Sequence, residues 1–225
     1  MKKVFLTGAN GDIGSAIRDI FELNGFSVSA PTRQELNLEN LNEVKAYFEN
    51  QDCDFDVVIH CAGYNNPKML EYLTFDDVEK TARINYMSFF EIVKAIAPKM
   101  KAKGYGHILG ISSLYGTISR GGRLAYTASK HALNGVVKTL ACELGEYNIL
   151  VNTLSPGFVD TKMTRKNNSD EKIVLMEKKI PLKRLAMPAD IANAAYFLCS
   201  DMNTYITGQD IIVDGGFMAE GGQNS

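Results

Sequence analysis

The chain of 225 residues carries 24 basic and 26 acidic side chains, a net charge of −2, so it presents no basic field for a nucleic-acid backbone. With 45% hydrophobic and 22% charged residues it has the composition of a soluble globular protein, and no apolar run approaches the roughly 20 residues of a membrane span. The length fits one large domain, residues 1–225, better than two.

The start, "MKKVFLTGANGDIG", joins a short apolar run directly to glycines with no small-residue cleavage site, which argues against a secretory signal. "KKVFLTG" reads as a strand. The following "IGSAIRDIFELNG" places Ile13, Ile17, Ile20 and Leu23 at helical spacing and stops at Gly25. "FSVSA" is a second strand, "LNEVKAYFEN" a helix and "DVVIHCAG" a buried strand. "TFDDVEKTARINYMSFFEIVKAIAPKMKAKG" is one or two long helices. "GHILGISS" is a strand, Ala125–Glu146 a helix, "ILVNTLSPG" a strand, "PADIANAAYFLCS" a helix and "GQDIIVDGG" a last strand. Alternating helices and nearly all-apolar strands predict a doubly wound parallel α/β sheet covered on both faces. The polar stretch Thr161–Lys179 predicts a mobile surface excursion, numbered between sixth and seventh strands and covering a substrate; the tail "AEGGQNS" predicts fraying.

Cys53, Cys61, Cys142 and Cys199 are widely spaced, with no metal-ligand pairing, and are expected as reduced core thiols of a cytoplasmic protein. His60, His107 and His131 show no zinc spacing either, so no metal site is expected; His60 reads as a satisfied core residue. The "GxSxG" turn of a serine hydrolase is absent. The Tyr and Phe residues form no base-stacking cluster and read as packing.

Three features point to a dinucleotide and a proton. Gly8, Gly11 and Gly14 lie between the first strand and the first helix, where side-chain-free backbone can approach a pyrophosphate at a helix N-terminus. Asp12 is anomalous beside a phosphate and is expected to point away, toward the favourable helix N-terminus. No acid ends the second strand; Arg33 follows instead, and an Arg suits a 2′-phosphate, which favours NADP(H) while leaving NAD(H) open. Tyr126 and Lys130 stand four apart, one turn on a helix, where a cation lowers a phenol's pKa and makes a proton donor for a carbonyl oxygen. Tyr64 and Lys68 repeat the spacing, but Pro67 between them assigns that copy to a loop. Ser112 and Ser113 end a strand at the carboxyl edge, where Ser113 can donate to a developing oxyanion.

Taken together, "TGANGDIG", "HCAG" at 60–63, Asn85 in "RINYMS", "GISS" at 110–113, "YTASK" at 126–130, "PG" at 156–157 and "ITGQDIIVDGG" resemble the short-chain dehydrogenase/reductase family, over nearly the whole chain. The pattern is most similar to the compact branch that includes beta-ketoacyl carrier-protein reductases. The resemblance implies hydride transfer between a nicotinamide and a carbonyl/alcohol pair. Tyr126 is then the acid/base, and Lys130 lowers its pKa and holds the nicotinamide ribose. Ser113 bonds the substrate oxygen, and Asn85 anchors a water feeding protons toward Lys130. It further implies that Gly8, Asn10, Gly11, Asp12, Ile13 and Gly14 line the pyrophosphate and that Ala62 and Gly63 pass close to the cofactor. Pro156, Gly157, Val159 and Thr161 enclose the nicotinamide end. Asn37 and Leu38 fall where the family often has Asp and an aliphatic residue against adenine. Family likeness also implies a dimer or tetramer through the long helices Thr74–Lys103 and Ala125–Glu146. The spacing T-G-x-x-G-x-x-G is that of the extended, sugar-nucleotide-modifying branch, whose large C-terminal domain has no counterpart here. An epimerase or dehydratase, or a non-enzymatic dinucleotide sensor, are the rival expectations; the Ser113/Tyr126/Lys130 set opposes the sensor.

Overall fold

The computed structural model describes residues 1–49 and 51–220; the fraying expected at the tail falls mostly on 221–225, outside the described residues. Six parallel strands form one sheet: β1 (Lys3–Thr7), β2 (Ser27–Ser29), β3 (Val57–His60), β4 (Gly106–Ile111), β5 (Ile149–Pro156) and β6 (Asp210–Val213), in spatial order β2-β1-β3-β4-β5-β6. The helices are α1 (Asp12–Leu23), α2 (Leu41–Glu49), α3 (Phe75–Ala82), α4 (Ser88–Lys103), α5 (Leu124–Leu144), α6 (Lys162–Asn167), α7 (Asp170–Lys178) and α8 (Pro188–Leu198). With six strands among the described residues, the excursion lies between the fifth and sixth, not the sixth and seventh.

Alternation along each strand divides the core. Phe5, Val58, Ile108 and Val151 face α2, α4 and α5, while Val4, Leu6, Ile59, Leu109 and Leu154 face α1 and α8. Burial on both sides explains why the central strands read as unbroken apolar runs. On α1, which forms where the helical spacing placed it, the buried stripe is Gly14, Ile17 and Phe21; Leu23 falls off that stripe and is 85% exposed.

The long 74–103 segment is continuous but not uniform. Thr74 and Asp77 cap α3 reciprocally, and a π-helical turn, Arg83–Met87, joins α3 to α4. The excursion carries two helices rather than irregular chain: Thr161 caps α6, Ser169 caps α7, and Ile173 is buried against Ile180 and Leu185. The four thiols are free, but only Cys199 is fully buried; Cys142, expected in the core, is exposed on α5. No helix among the described residues is long and apolar enough to cross a membrane.

Chain order reverses beside β1: the first crossover runs to β2 on one flank, the second to β3 on the other. A parallel sheet opens its ligand crevice at such a point, outside the carboxyl ends of the strands.

Candidate active site

The glycine-rich turn leaves β1 at that crevice. Gly8 has φ +76°, and a Cβ there would come within 2.6 Å of the Ala62 nitrogen; a Cβ on Gly14 would collide with the Gly8 carbonyl. These two positions must be glycine, whereas Gly11 meets nothing nearer than 3.5 Å. Gly11 is the N-cap of α1 and supplies no side chain to it, so the amides of Asp12, Ile13 and Gly14 open the helix without internal partners. That suits a pyrophosphate. Asn10 is exposed beside it. Asp12 turns away from the turn, as expected, but not to cap its own helix: its carboxylate accepts from the Lys162 amide at 2.7 Å and ties the phosphate turn to the start of the excursion.

Ser113, Tyr126 and Lys130 converge at the neighbouring strand ends. Ser113 follows β4 and its hydroxyl accepts from the Tyr115 amide at 3.2 Å. On α5, Ser129, Lys130 and Leu133 belong to the buried face, so Lys130 is 3% exposed and its Nζ donates to the Ile111 carbonyl at 2.7 Å. That Nζ lies 5.6 Å from the centre of the Tyr126 ring and 3.9 Å from where a Gly63 Cβ would stand. Burial pushes the Lys130 ammonium down to about 8, against an opposing effect of the Cys61 thiol. The Tyr126 phenol is pushed up from its ordinary value by burial, with Ser113 and then Arg123 pulling it back. The expected acidification by Lys130 is not what governs the phenol here: the ammonium is held under the ring by Ile111 rather than at the hydroxyl.

Asn85 is fully buried in the π-helical turn, and both Nδ2 hydrogens and one Oδ1 lone pair of its carboxamide are engaged. Oδ1 accepts from the Tyr64 amide at 2.7 Å, while Nδ2 donates to the Tyr64 carbonyl at 3.0 Å and to the Ser129 hydroxyl at 2.8 Å. Ser129 in turn donates to the Tyr126 carbonyl at 2.7 Å. The side chain therefore positions the 61–64 loop and α5. The Tyr64/Lys68 copy lies in a loop, as expected, with Lys68 bound to Asp77 at 2.7 Å.

Around the crevice, Ala62 gives its amide to the Thr7 hydroxyl at 3.2 Å, and Gly63 is exposed. Gly157 packs against Asp214, where a Cβ would come within 2.7 Å, and Val159 bridges to Ala186. Thr161 spends its hydroxyl on the Thr164 amide at 3.1 Å. Arg33, Asn37 and Leu38 lie apart, on the loop after β2. Arg33 is largely exposed and pairs with Glu39 at 3.3 Å, Asn37 accepts from the Glu39 amide at 3.2 Å, and Leu38 packs on the core. Arg123, Tyr115 and Cys61 were not foreseen at the site; the first two lie close before Tyr126 in sequence, a signal that its flanks carry function. No group of His, Cys, Asp and Glu among the described residues could hold a metal.

A doubly wound sheet with a glycine-lined crevice at a helix N-terminus, and a phenol, a hydroxyl and an ammonium beside it, is the arrangement that suits a nicotinamide-dependent oxidoreductase. The family described as Enoyl-(Acyl carrier protein) reductase matches residues 3–218. The chain is 33% identical to the 3-oxoacyl-[acyl-carrier-protein] reductase FabG of Rickettsia felis, over 96% of this chain and 97% of the relative. It is 31% identical to Nodulation protein G of Rhizobium meliloti, over 96% of each. Among solved structures, a 4-hydroxyisoleucine dehydrogenase complexed with NADH superposes with a TM-score of 0.91 at 28% identity, covering 97% of this chain and 99% of that one. The chain belongs to the short-chain dehydrogenase/reductase family, and it is an NAD(P)-dependent oxidoreductase that transfers a hydride between nicotinamide and a carbonyl/alcohol substrate.

Proposed function

We propose that residues 1–225 form one catalytic domain in which Tyr126 is the acid/base. In reduction the nicotinamide supplies the hydride to the carbonyl carbon. Tyr126 delivers the proton to the oxygen, Ser113 donates a hydrogen bond to that oxygen as charge develops, and Lys130 holds the ribose and replaces the positive charge that the proton removes. Asn85 holds the 61–64 loop and, through Ser129, the Tyr126 turn. The observation that carries this is that the Tyr126 phenol meets the Ser113 hydroxyl while the Lys130 Nζ lies 5.6 Å from its ring centre.

Gly8, Asn10, Gly11, Asp12, Ile13 and Gly14 line the pyrophosphate in this scheme. Ala62 and Gly63 border the nicotinamide ribose, Pro156, Gly157, Val159 and Thr161 the nicotinamide, and Asn37 and Leu38 the adenine. Arg33, an exposed guanidinium just beyond β2, favours NADP(H) over NAD(H). The substrate is a small carbonyl or alcohol compound, covered by α6 and α7. The relatives act on 3-oxoacyl chains and, by name, on 4-hydroxyisoleucine, so a carbonyl close to a polar or acyl group is favoured. Four unpaired cysteines accord with a reducing cytoplasm, and the half-exposed Phe90 and Leu124 on α4 and α5 accord with a homodimer or tetramer through those helices.

The decisive experiment is Tyr126→Phe. Turnover of any carbonyl substrate should fall by about 10²–10⁴ while the affinity for NADPH stays within about twofold. Unchanged turnover would remove Tyr126 from the chemistry.

A further inference from the structure

Arg123 is the residue at which α5 begins, three before Tyr126. Its guanidinium lies over the Tyr115 ring, 5.8 Å from the centroid, and that ring meets the Tyr126 ring edge-on at 6.1 Å. The charge is close enough to pull the phenol's pKa down, second to Ser113 among the groups that do so. Of the other cations, Lys130 gives its Nζ to the Ile111 carbonyl at 2.7 Å and is assigned to the ribose, and those that follow pair with carboxylates. Lys68 is bound by Asp77 at 2.7 Å, Lys80 by Glu39 at 2.9 Å, Arg83 by Glu79 at 2.8 Å and Arg165 by Asp160 at 2.6 Å. Lys162 lies 4.0 Å from Asp12. Among the described residues Arg123 has no carboxylate partner; Arg120 has none either, but it stands in solvent while Arg123 is half-buried. Half-burial weakens water's screening of the guanidinium, and the five-donor fork lacks an acceptor that matches its shape.

We propose that Arg123 binds a carboxylate of the substrate, which makes an oxo acid and its hydroxy acid the substrate pair. The proposal rests on Tyr126 acting as the acid/base and adds the group that selects what reaches it. One guanidinium, with Lys68 already neutralised by Asp77, matches a single negative charge better than a phosphate dianion. The position two ring contacts from the phenol places the carboxylate a few bonds from the reacting carbonyl, because a longer spacer would carry it past Tyr115. Tyr115 serves as the platform that keeps the guanidinium extended.

The test compares acids with their esters. Acetoacetate and levulinate are assayed against methyl acetoacetate and methyl levulinate, with NADPH and NADH, on the wild type, Arg123→Lys and Arg123→Gln. The wild type should prefer the acids by at least about tenfold in kcat/KM, and Arg123→Gln should erase that ratio by raising KM for the acid about 10- to 100-fold. Arg123→Lys should keep part of it. A ratio that survives in Arg123→Gln, or a wild type that prefers esters, overturns the proposal. Binding of succinate, an unreactive carboxylate, to the NADPH complex is measured by calorimetry in parallel. Succinate held by the wild type and weakened about tenfold in Arg123→Gln supports the carboxylate site; if no oxo acid then turns over, the oxo acid substrate pair is overturned, while the acid/base assignment is judged separately by Tyr126→Phe. Equal or absent succinate binding in both proteins, or inorganic phosphate held more tightly than succinate through Arg123, sinks it. Matching melting temperatures of the variants exclude misfolding as the cause.

Discussion

His60 donates its Nε2 hydrogen to the carbonyl oxygen of Ile84 across 3.0 Å. A carbonyl can only accept, so the proton sits on Nε2, and the neutral ring must then accept at Nδ1, where the Thr7 hydroxyl lies at 3.0 Å. Thr7 also receives the Ala62 amide. One buried imidazole thus links β1, the 61–63 loop and the π-helical turn that carries Asn85. The turn displaces the regular helix pairing: the Ser88 amide goes to Arg83, and Ile84 is left for the imidazole and the Ser88 hydroxyl. A π-turn is uncommon and often marks a functional site; here a side chain from the sheet holds it.

Acid should therefore attack the fold through His60. Burial lowers its pKa from 6.5 to about 3, with the nearby Lys130 charge acting in the same direction. The unfolded chain binds a proton below pH 6.5 that the folded one refuses until about pH 3, so stability present above 6.5 is lost as pH falls through that window. The loss from this one group is about 1.4 kcal/mol per pH unit once well below 6.5. His60→Leu should lose about 1–3 kcal/mol at pH 7, from the deleted hydrogen bonds, and lose less than the wild type on acidification. Urea midpoints at pH 7 and pH 5 check this: the gap between the two proteins must narrow at pH 5. Parallel midpoints would show that His60 titrates freely.

The chain order, the parallel sheet and the position of Tyr126 were legible in the sequence because apolar runs, glycines and helical spacing are local signals. The side-chain bonding of Asn85 was not. It depends on Tyr64 and Ser129, brought together only by the packing of the 61–64 loop and α5 on the π-turn. The same holds for Lys130. Its spacing to Tyr126 was visible, but its tether to Ile111, at the end of β4, was not, and that tether decides where the charge sits.

The glycine-rich turn makes a graded prediction. Gly14→Ala forces a methyl into the Gly8 carbonyl and should destabilise by about 1–3 kcal/mol or more, with loss of cofactor binding. Gly11→Ala meets only Gly8 oxygen at 3.5 Å, an ordinary contact, and should stay within about 1 kcal/mol of the wild type. Thermal melts of the two variants, with and without NADPH, separate them. Equal melting temperatures would mean the turn can relax around Gly14.

Asp12 should act in two opposed ways. Its carboxylate anchors the first residue of α6, so Asp12→Ala should free the excursion, raising the rate of limited proteolysis within 162–178 by roughly tenfold. Asp12→Asn keeps an acceptor oxygen but removes a negative charge beside the pyrophosphate turn, and should tighten NADPH binding by about two- to tenfold while leaving proteolysis nearly unchanged. A protease time course and cofactor titrations on both variants decide the matter. If Asp12→Asn is cleaved as fast as Asp12→Ala, the charge rather than the acceptor holds the excursion.

Cofactor choice should turn on Arg33. Its guanidinium is 77% exposed and its ion pair with Glu39 is 3.3 Å long, while Glu39 also holds Lys80 at 2.9 Å. An exposed pair of that kind contributes at most about 1 kcal/mol, so a 2′-phosphate can draw the guanidinium away at little cost. Arg33→Ser should weaken NADPH by about tenfold, the value of one charge-assisted contact, and leave NADH within about twofold, because NADH offers a hydroxyl there instead. Glu39→Gln should do the reverse: freeing Arg33 and Lys80 together should favour NADPH further. Dissociation constants for both nucleotides, from nicotinamide fluorescence on the three proteins, give the answer. If the wild type holds NADH more tightly than NADPH and Arg33→Ser leaves that ratio unchanged, Arg33 takes no part in the discrimination and the loop after β2 reads the ribose by other means.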